Sequence, residues 1–70
     1  MNLFLNKSTA AMFGVSQRIV VSSVQNASDL WCAMRDESCM GVSEIGNGAN
    51  VLDDNGKRIA RISYNGRIWV

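Results

Sequence analysis

The sequence contains no histidine and no proline, and only two of its 70 residues are cysteine. Histidine is the commonest ligand of transition metals and the side chain that titrates nearest neutral pH, so its absence argues against most triad and zinc chemistry. Cys32 and Cys39 supply at most half of a thiolate zinc site, and we expect no zinc finger within one chain. Without proline or a Gly/Ser-rich linker, the chain offers no boundary at which to divide it.

Long apolar segments are also missing. Leu3-Phe4-Leu5 is followed by the polar Asn6 and Lys7, so the start of the sequence lacks the roughly 7-residue apolar region of a signal peptide. No run approaches the roughly 18 apolar residues of a membrane span. We therefore expect no membrane partner and a cytoplasmic location. Cys32 and Cys39 are expected to be reduced, buried thiols.

A chain of this length can build one small core, and we expect residues 1–70 to form a single domain. Hydrophobic residues make up 47% of the chain, charged residues 19%, and the net charge is +1, as is typical of folded globular proteins. The charge is unevenly distributed, because residues 27–54 carry six carboxylates against Arg35 alone, whereas residues 57–70 carry four cations and no carboxylate. Since so small a domain is marginally stable, we expect a monomer or a weak homodimer that gains stability from its partner.

Two Asn-Gly pairs, Asn55-Gly56 and Asn65-Gly66, divide the C-terminal residues into three β-prone runs. Such pairs are typical of tight turns between strands, so the sequence predicts a three-stranded meander. With two-residue loops, the facing pairs are Asp54/Lys57, Asp53/Arg58, Leu52/Ile59, Val51/Ala60, Tyr64/Arg67, Ser63/Ile68 and Ile62/Trp69. A longer first loop with a bulge at residues 53–56 would instead exchange the faces of the first strand.

A short amphipathic helix is predicted before the meander. Ser28 suits an N-cap, and Leu30, Ala33 and Met34 follow helical spacing. Residues 18–24 are rich in β-branched side chains and predict a strand. Residues 1–17 are compatible with a strand at 3–5 and helical turns at 8–14, and residues 41–50 suit a loop or a short edge strand. The predicted fold class is α+β, an antiparallel sheet with a C-terminal three-stranded meander and one short helix packed on a face.

The motifs that could carry chemistry are incomplete. Gly46-Asn47-Gly48 lacks the spacing of a phosphate-binding loop, and Asp53 and Asp54 lack the ligand series of an EF-hand. A cysteine nucleophile would have to be activated without histidine. Asp36 and Glu37 are adjacent, so on a helix they point about 100° apart and do not flank one substrate bond. We therefore expect no enzyme, no catalytic residue, no metal and no cofactor.

Cations and aromatic rings are interleaved near the C-terminus. The candidate partner-binding residues are Arg58, Arg61, Tyr64, Arg67 and Trp69. Arg, Tyr and Trp are enriched at the hot spots of protein interfaces, which favours a noncatalytic protein-binding function. A small nucleic-acid-binding module, using phosphate contacts and base stacking, is the alternative. A missing RNP1-type signature, an acidic partner for Arg58 and a spread of cations over both sheet faces count against that alternative.

One face of the predicted meander carries more aliphatic side chains than a fully solvated surface needs. Its residues include Leu52, Ile59, Arg61, Ile68 and Val70. We interpret this face as the docking patch. The same composition would also suit a second core layer covered by the N-terminal residues, or a homodimer that buries the face.

The predicted elements over residues 18–70 end in Gly56-Lys57-Arg58 and Gly66-Arg67-Ile68-Trp69-Val70. In the order of these elements, in its size and in its lack of catalytic motifs, the chain resembles small phage-encoded inhibitors, particularly anti-CRISPR proteins. The resemblance implies a stoichiometric inhibitor that docks on a bacterial CRISPR effector complex, a protein or ribonucleoprotein partner, in the host cytoplasm. Many such inhibitors mimic DNA with strong negative charge, whereas this chain carries +1. Occlusion would then come from shape or from the acidic residues 29–54.

Overall fold

The computed structural model describes residues 1–38 and 48–70. In chain order their elements are β1 (Asn2–Phe4), α1 (Lys7–Phe13), β2 (Arg18–Val20), α2 (Val24–Ser38), β3 (Ala49–Leu52), β4 (Arg58–Ile62) and β5 (Ile68–Trp69). The strands form one antiparallel sheet in the order β2-β1-β3-β4-β5. The α+β class and the antiparallel sheet are confirmed, whereas the expectation of a single helix is wrong.

The second helix is α1, in the segment whose sequence was compatible with helical turns. Asn6 caps its N-terminus, where the side-chain oxygen accepts a hydrogen bond of 2.8 Å from the Thr9 amide. Gly14 ends it with φ at 70°, a left-handed conformation that glycine adopts without steric cost. Thr9 and Ala10 are buried, so this helix contributes one face to the core. The strand expected near residues 3–5 is confirmed as β1.

Helix α2 begins earlier than predicted because Ser23 and Asn26 cap it. The Ser23 hydroxyl accepts a hydrogen bond of 3.0 Å from the Asn26 amide, and the Asn26 side chain accepts one of 3.0 Å from the Ser22 amide. The first bond satisfies an amide that the helix N-terminus leaves without an intrahelical partner, and the second ties the residue before the cap to the first turn. Val24, the predicted end of a strand, therefore opens the helix. Ser28, the predicted N-cap, is buried within it.

Both helices pack on one face of the sheet, and this helical face holds the core. Leu3, Val51 and Ala60 are paired across three adjacent strands and are buried beneath the helices. Trp31 of α2 is also fully buried, and its ring meets that of Phe13 in α1 edge to face at 5.5 Å between centroids. One aromatic pair therefore joins the two helices above the central strands.

Both C-terminal hairpins have three-residue loops, residues 54–56 and 64–66. Backbone hydrogen bonds close them from the Asp53 amide to the Lys57 carbonyl at 2.9 Å and from the Ser63 amide to the Arg67 carbonyl at 3.0 Å. The last loop residue is in each case a glycine with positive φ, 85° and 88°. This geometry is typical of a three-residue hairpin loop, which also uses Asn-Gly but sets a different register from the two-residue loop that we predicted.

The longer second loop shifts β5 by one residue against β4. Ile62 pairs with Ile68, and Arg61 pairs with Trp69. The predicted Ile62/Trp69 pair is therefore wrong, and Trp69 lies on the face opposite to Ile62. The predicted Tyr64/Arg67 and Ser63/Ile68 pairs are wrong for the same reason. Because side chains alternate along a strand, one residue of slip exchanges the two faces.

The first hairpin contains a β-bulge in addition to its longer loop. Val51 faces Ala60 as predicted, but Leu52 pairs with Arg58, which leaves Ile59 as an extra residue on β4. The predicted Leu52/Ile59, Asp53/Arg58 and Asp54/Lys57 pairs are therefore wrong. The bulge allows the turn and the strand to keep different registers, so the predicted pairing is correct in the strand and wrong next to the turn.

Candidate functional site

The sheet face turned away from the helices, called here the open face, carries a row of side chains that crosses all five strands. Directly paired residues on neighbouring strands lie on the same face. The register aligns Arg18, Phe4, Asn50, Arg61 and Trp69 in that order from β2 to β5. At about 4.8 Å between strands, the row spans about 19 Å. Cationic, aromatic and amide groups are thus held side by side on a rigid support.

Two arginines of β4 reach the open face together because of the bulge. Arg58 and Arg61 are three positions apart, a spacing that regular alternation would place on opposite faces. The extra residue Ile59 returns Arg58 to the open face, where it pairs with Leu52. Both arginines and Trp69 line a shallow cleft of about 300 Å³. The lining of the cleft therefore combines cationic and aromatic side chains.

Each end of the row combines an aromatic ring with an arginine. At the β5 end, the guanidinium carbon of Arg67 lies 4.4 Å from the centroid of the Trp69 ring. At the other end, that of Arg18 lies 6.0 Å from the centroid of Phe4. Cation–π contacts of this kind hold the planar groups in place while leaving them accessible. Trp69 remains 44% exposed.

The carboxylates of the described residues lie outside the strands that form the open face. None of the five described strands contains Asp or Glu. Asp53, the predicted partner of Arg58, instead accepts hydrogen bonds of 2.9 Å from the Asn55 and Lys57 amides of its own turn. Within residues 1–38 and 48–70, neither of the two ion pairs involves an arginine of the open face. We expected an acidic partner for Arg58 and a spread of these cations over both sheet faces. Both expectations are wrong.

Asp54, in the turn after β3, is held by the chain's amino group, which directly precedes the neighbouring strand β1. The Met1 ammonium donates a hydrogen bond of 2.8 Å to its carboxylate. This contact lowers the pKa of the Asp54 carboxyl below its ordinary value, since the ammonium favours the charged form. Both acidic residues of the first hairpin turn therefore have partners other than the arginines beside them in sequence.

Tyr64 is separated from the other predicted contact residues. Its carbonyl accepts hydrogen bonds from Trp31 Nε1 at 2.9 Å and from Arg35 Nη1 at 2.7 Å. The guanidinium carbon of Arg35 also lies 5.4 Å from the centroid of the Tyr64 ring. A hydrogen bond to Asp36 raises the pKa of Arg35 above its ordinary value, so this cation stays charged. Tyr64 therefore attaches the last hairpin to α2, and the structure groups Arg58, Arg61, Arg67 and Trp69 without it.

The predicted docking patch does not form one surface. Leu52 and Arg61 lie on the open face, but Ile68 pairs with Ile62, and Ile59 and Ile68 both pack against the core. Val70 is fully exposed. The N-terminal residues do not cover the face either, because they form β1, an interior strand of the sheet itself. The open face is thus more polar and more cationic than the patch that we predicted.

Three members of the row, Arg18, Phe4 and Asn50, were not predicted. Phe4 lies between the buried Leu3 and Leu5, but three consecutive apolar residues show no alternation that would identify Phe4 as the one facing away from the core. No local signal shows that β1 inserts between β2 and β3. That insertion alone brings Phe4 between Arg18 and Asn50.

Among the described residues, no cluster of three or more His, Cys, Asp or Glu side chains could hold a metal ion. Neither described helix is long and apolar enough to cross a membrane.

Gly46-Asn47, Glu44 and Cys39 lie outside the described residues. Comparisons of the chain with protein-family models, curated proteins and solved structures find no match.

Proposed function

We propose that this is a noncatalytic binding protein and that the open face is its contact surface. One observation carries the proposal: four arginines and two aromatic rings occupy a sheet face on which no described strand places a carboxylate. These residues are Arg18, Arg58, Arg61, Arg67, Phe4 and Trp69. Arginine and tryptophan are among the residue types most enriched at binding hot spots.

The strands and neighbouring arginines that hold these side chains in place favour binding. Phe4, Asn50, Arg61 and Trp69 belong to hydrogen-bonded strands, and each of the two rings lies within cation–π distance of an arginine. Side chains held in this way lose less conformational entropy when a partner binds than side chains on a loop. A small domain with little core can therefore devote one whole sheet face to recognition.

The proposed biological role is that of a phage or mobile-element inhibitor of the anti-CRISPR type, acting on a bacterial CRISPR effector complex. The resemblance in size and element order supports this role. The charge of the open face supports it as well, because a ribonucleoprotein presents phosphate groups that four arginines complement. The proposed inhibitor would act in the bacterial cytoplasm, as a monomer or weak homodimer.

Inhibition is tested by expressing the chain in bacteria whose CRISPR systems, chosen from several types, target a plaque-forming phage. We expect the efficiency of plaquing to rise in at least one strain. Arg61→Glu should abolish this rise, because it reverses the charge at the centre of the open face. Lys7→Glu is the matched control, since it makes the same charge change at an exposed position of α1.

Two results would contradict the proposal. If no strain loses immunity when the folded protein accumulates, the inhibitor role is wrong. If Arg61→Glu inhibits as well as the unaltered chain, the open face is not the contact surface. Circular dichroism of the purified variants shows whether each one is folded.

A further inference from the structure

We infer that the open face binds single-stranded nucleic acid, with phosphates at Arg58 and Arg61 and unpaired bases on Trp69 and Phe4. This inference rests on the proposed function, in that it names the chemistry of the partner that the open face contacts. It also assigns roles to Phe4, Asn50 and Arg18, which the sequence did not predict.

Charge is the first argument. The four arginines of the open face are exposed to solvent, and no described strand contains a carboxylate beside them. The described carboxylates lie in α2 and in the turn after β3. A polyanion is the ligand that such a one-signed surface complements. Arg58, Arg61 and Trp69 all line one cleft of about 300 Å³, which offers a position for a phosphate group. A phosphate at this position would leave its neighbouring base beside the indole ring.

The order of groups along the row is the second argument. Protein interfaces generally have an apolar, desolvated centre and a polar rim. The row differs from this order, since Asn50 and Arg61 lie in its centre, the rings of Phe4 and Trp69 flank them, and Arg18 is outermost at the β2 end. Two platforms separated by polar donors are suited to bases that alternate with a charged backbone.

Distance gives the third argument. Three strand spacings separate Phe4 from Trp69, about 14 Å. RNA-binding sheets stack two or three bases on aromatic side chains, and a guanidinium plane can replace a ring in such a stack. Arg67 at 4.4 Å from Trp69 and Arg18 at 6.0 Å from Phe4 extend the two platforms accordingly. Paired bases hide their stacking surfaces inside a duplex, so this arrangement favours a single strand.

A titration with a labelled oligonucleotide of mixed sequence and about 12 nucleotides tests the inference. DNA and RNA versions are followed by fluorescence anisotropy and by quenching of Trp69, whose signal is separable because Trp31 is fully buried. We expect binding to weaken with salt, with a log–log slope of about −1.4 for the two phosphate contacts of Arg58 and Arg61 at about −0.7 each. The same strand in a duplex should bind more weakly.

Substitutions at Trp69 and Arg61 distinguish the contribution of base stacking to the affinity from that of phosphate contacts. Trp69→Ala should weaken binding at least about fivefold with little change in the salt slope, and Trp69→Phe should retain most of the affinity. Arg61→Ala should reduce the steepness of the slope by about 0.7. Lys7→Ala, a cation outside the open face, is the matched control and should leave the affinity nearly unchanged.

Three outcomes would overturn the inference: no binding at about 50 mM salt, equal binding of duplex and single strand, or equal weakening by Lys7→Ala and Arg61→Ala. If the oligonucleotides do not bind but Arg61→Glu still abolishes inhibition in cells, the open face contacts an acidic protein surface, and only the nucleic-acid inference fails. If the oligonucleotides bind as expected and no strain loses immunity, the inhibitor role fails and the inference stands.

Discussion

The indole Nε1 of Trp31 donates a hydrogen bond of 2.9 Å to the backbone carbonyl of Tyr64. Ser28 and Arg35, on the same side of α2, donate to the carbonyls of Gly66 and Tyr64. These three donors hold the loop of the last hairpin against the helix. The loop is therefore held from the helical face, while Trp69 is presented on the opposite one.

The two tryptophans should respond differently to the same substitution. Trp31→Phe removes the hydrogen bond to Tyr64 and leaves space in the core, so we expect the free energy of unfolding to fall by about 1 to 3 kcal/mol. Trp69→Phe changes an exposed ring and should alter it by less than about 0.5 kcal/mol. Urea denaturation measures both. Equal midpoints for the two variants would mean that Trp31 does not hold the hairpin.

Two glycines with similar backbone angles provide a second matched pair. Gly48 and Gly56 have φ of 68° and 85°, but a Cβ at Gly48 would collide with the Ile62 carbonyl, whereas one at Gly56 meets nothing within 4 Å. We expect Gly56→Ala to cost about 1 kcal/mol and Gly48→Ala at least about 2 kcal/mol, because β4 must also shift. Thermal unfolding compares them. A smaller loss for Gly48→Ala would contradict the close approach of β3 to β4.

The Met1 ammonium and Asp54 predict a dependence of stability on acid pH. The contact lowers the pKa of Asp54 in the folded protein. Its stabilisation is therefore present above the ordinary Asp pKa of about 3.9 and is lost as the pH falls through the lowered value. Asp54→Asn should lose less stability than the unaltered chain over this acid range, as measured by thermal midpoints at several pH values. Identical pH profiles would show that the ion pair adds nothing in solution.

Substitutions at two neighbouring residues of β4 should distinguish a role in folding from a role in binding. Ile62 is fully buried on the helical face, and Arg61 is exposed on the open face. Ile62→Ala should lower the free energy of unfolding by about 2 to 5 kcal/mol through the cavity it creates. Arg61→Ala should leave that free energy within about 0.5 kcal/mol. Chemical denaturation tests both, and a large loss for Arg61→Ala would assign this arginine a structural role.

Much of the local structure could be predicted because its causes are local. β-Branched runs and the two Asn-Gly pairs identify β3, β4 and β5, and the helical spacing from Leu30 to Met34 identifies part of α2. The same runs place cations and rings at residues 58–69. The sequence by itself therefore determined the types of these elements, the pairing of Val51 with Ala60 and the burial of Ile62.

Only the tertiary structure decided which side chains share a face. Asn-Gly serves both two- and three-residue loops, and one residue of difference moves Trp69 from beside Ile62 to beside Arg61. The hydrogen bonds from α2 to the last loop involve residues 29 to 38 positions apart, so no local pattern contains them. The insertion of β1 between β2 and β3, which creates the row from Arg18 to Trp69, likewise depends on pairing between segments distant in the chain.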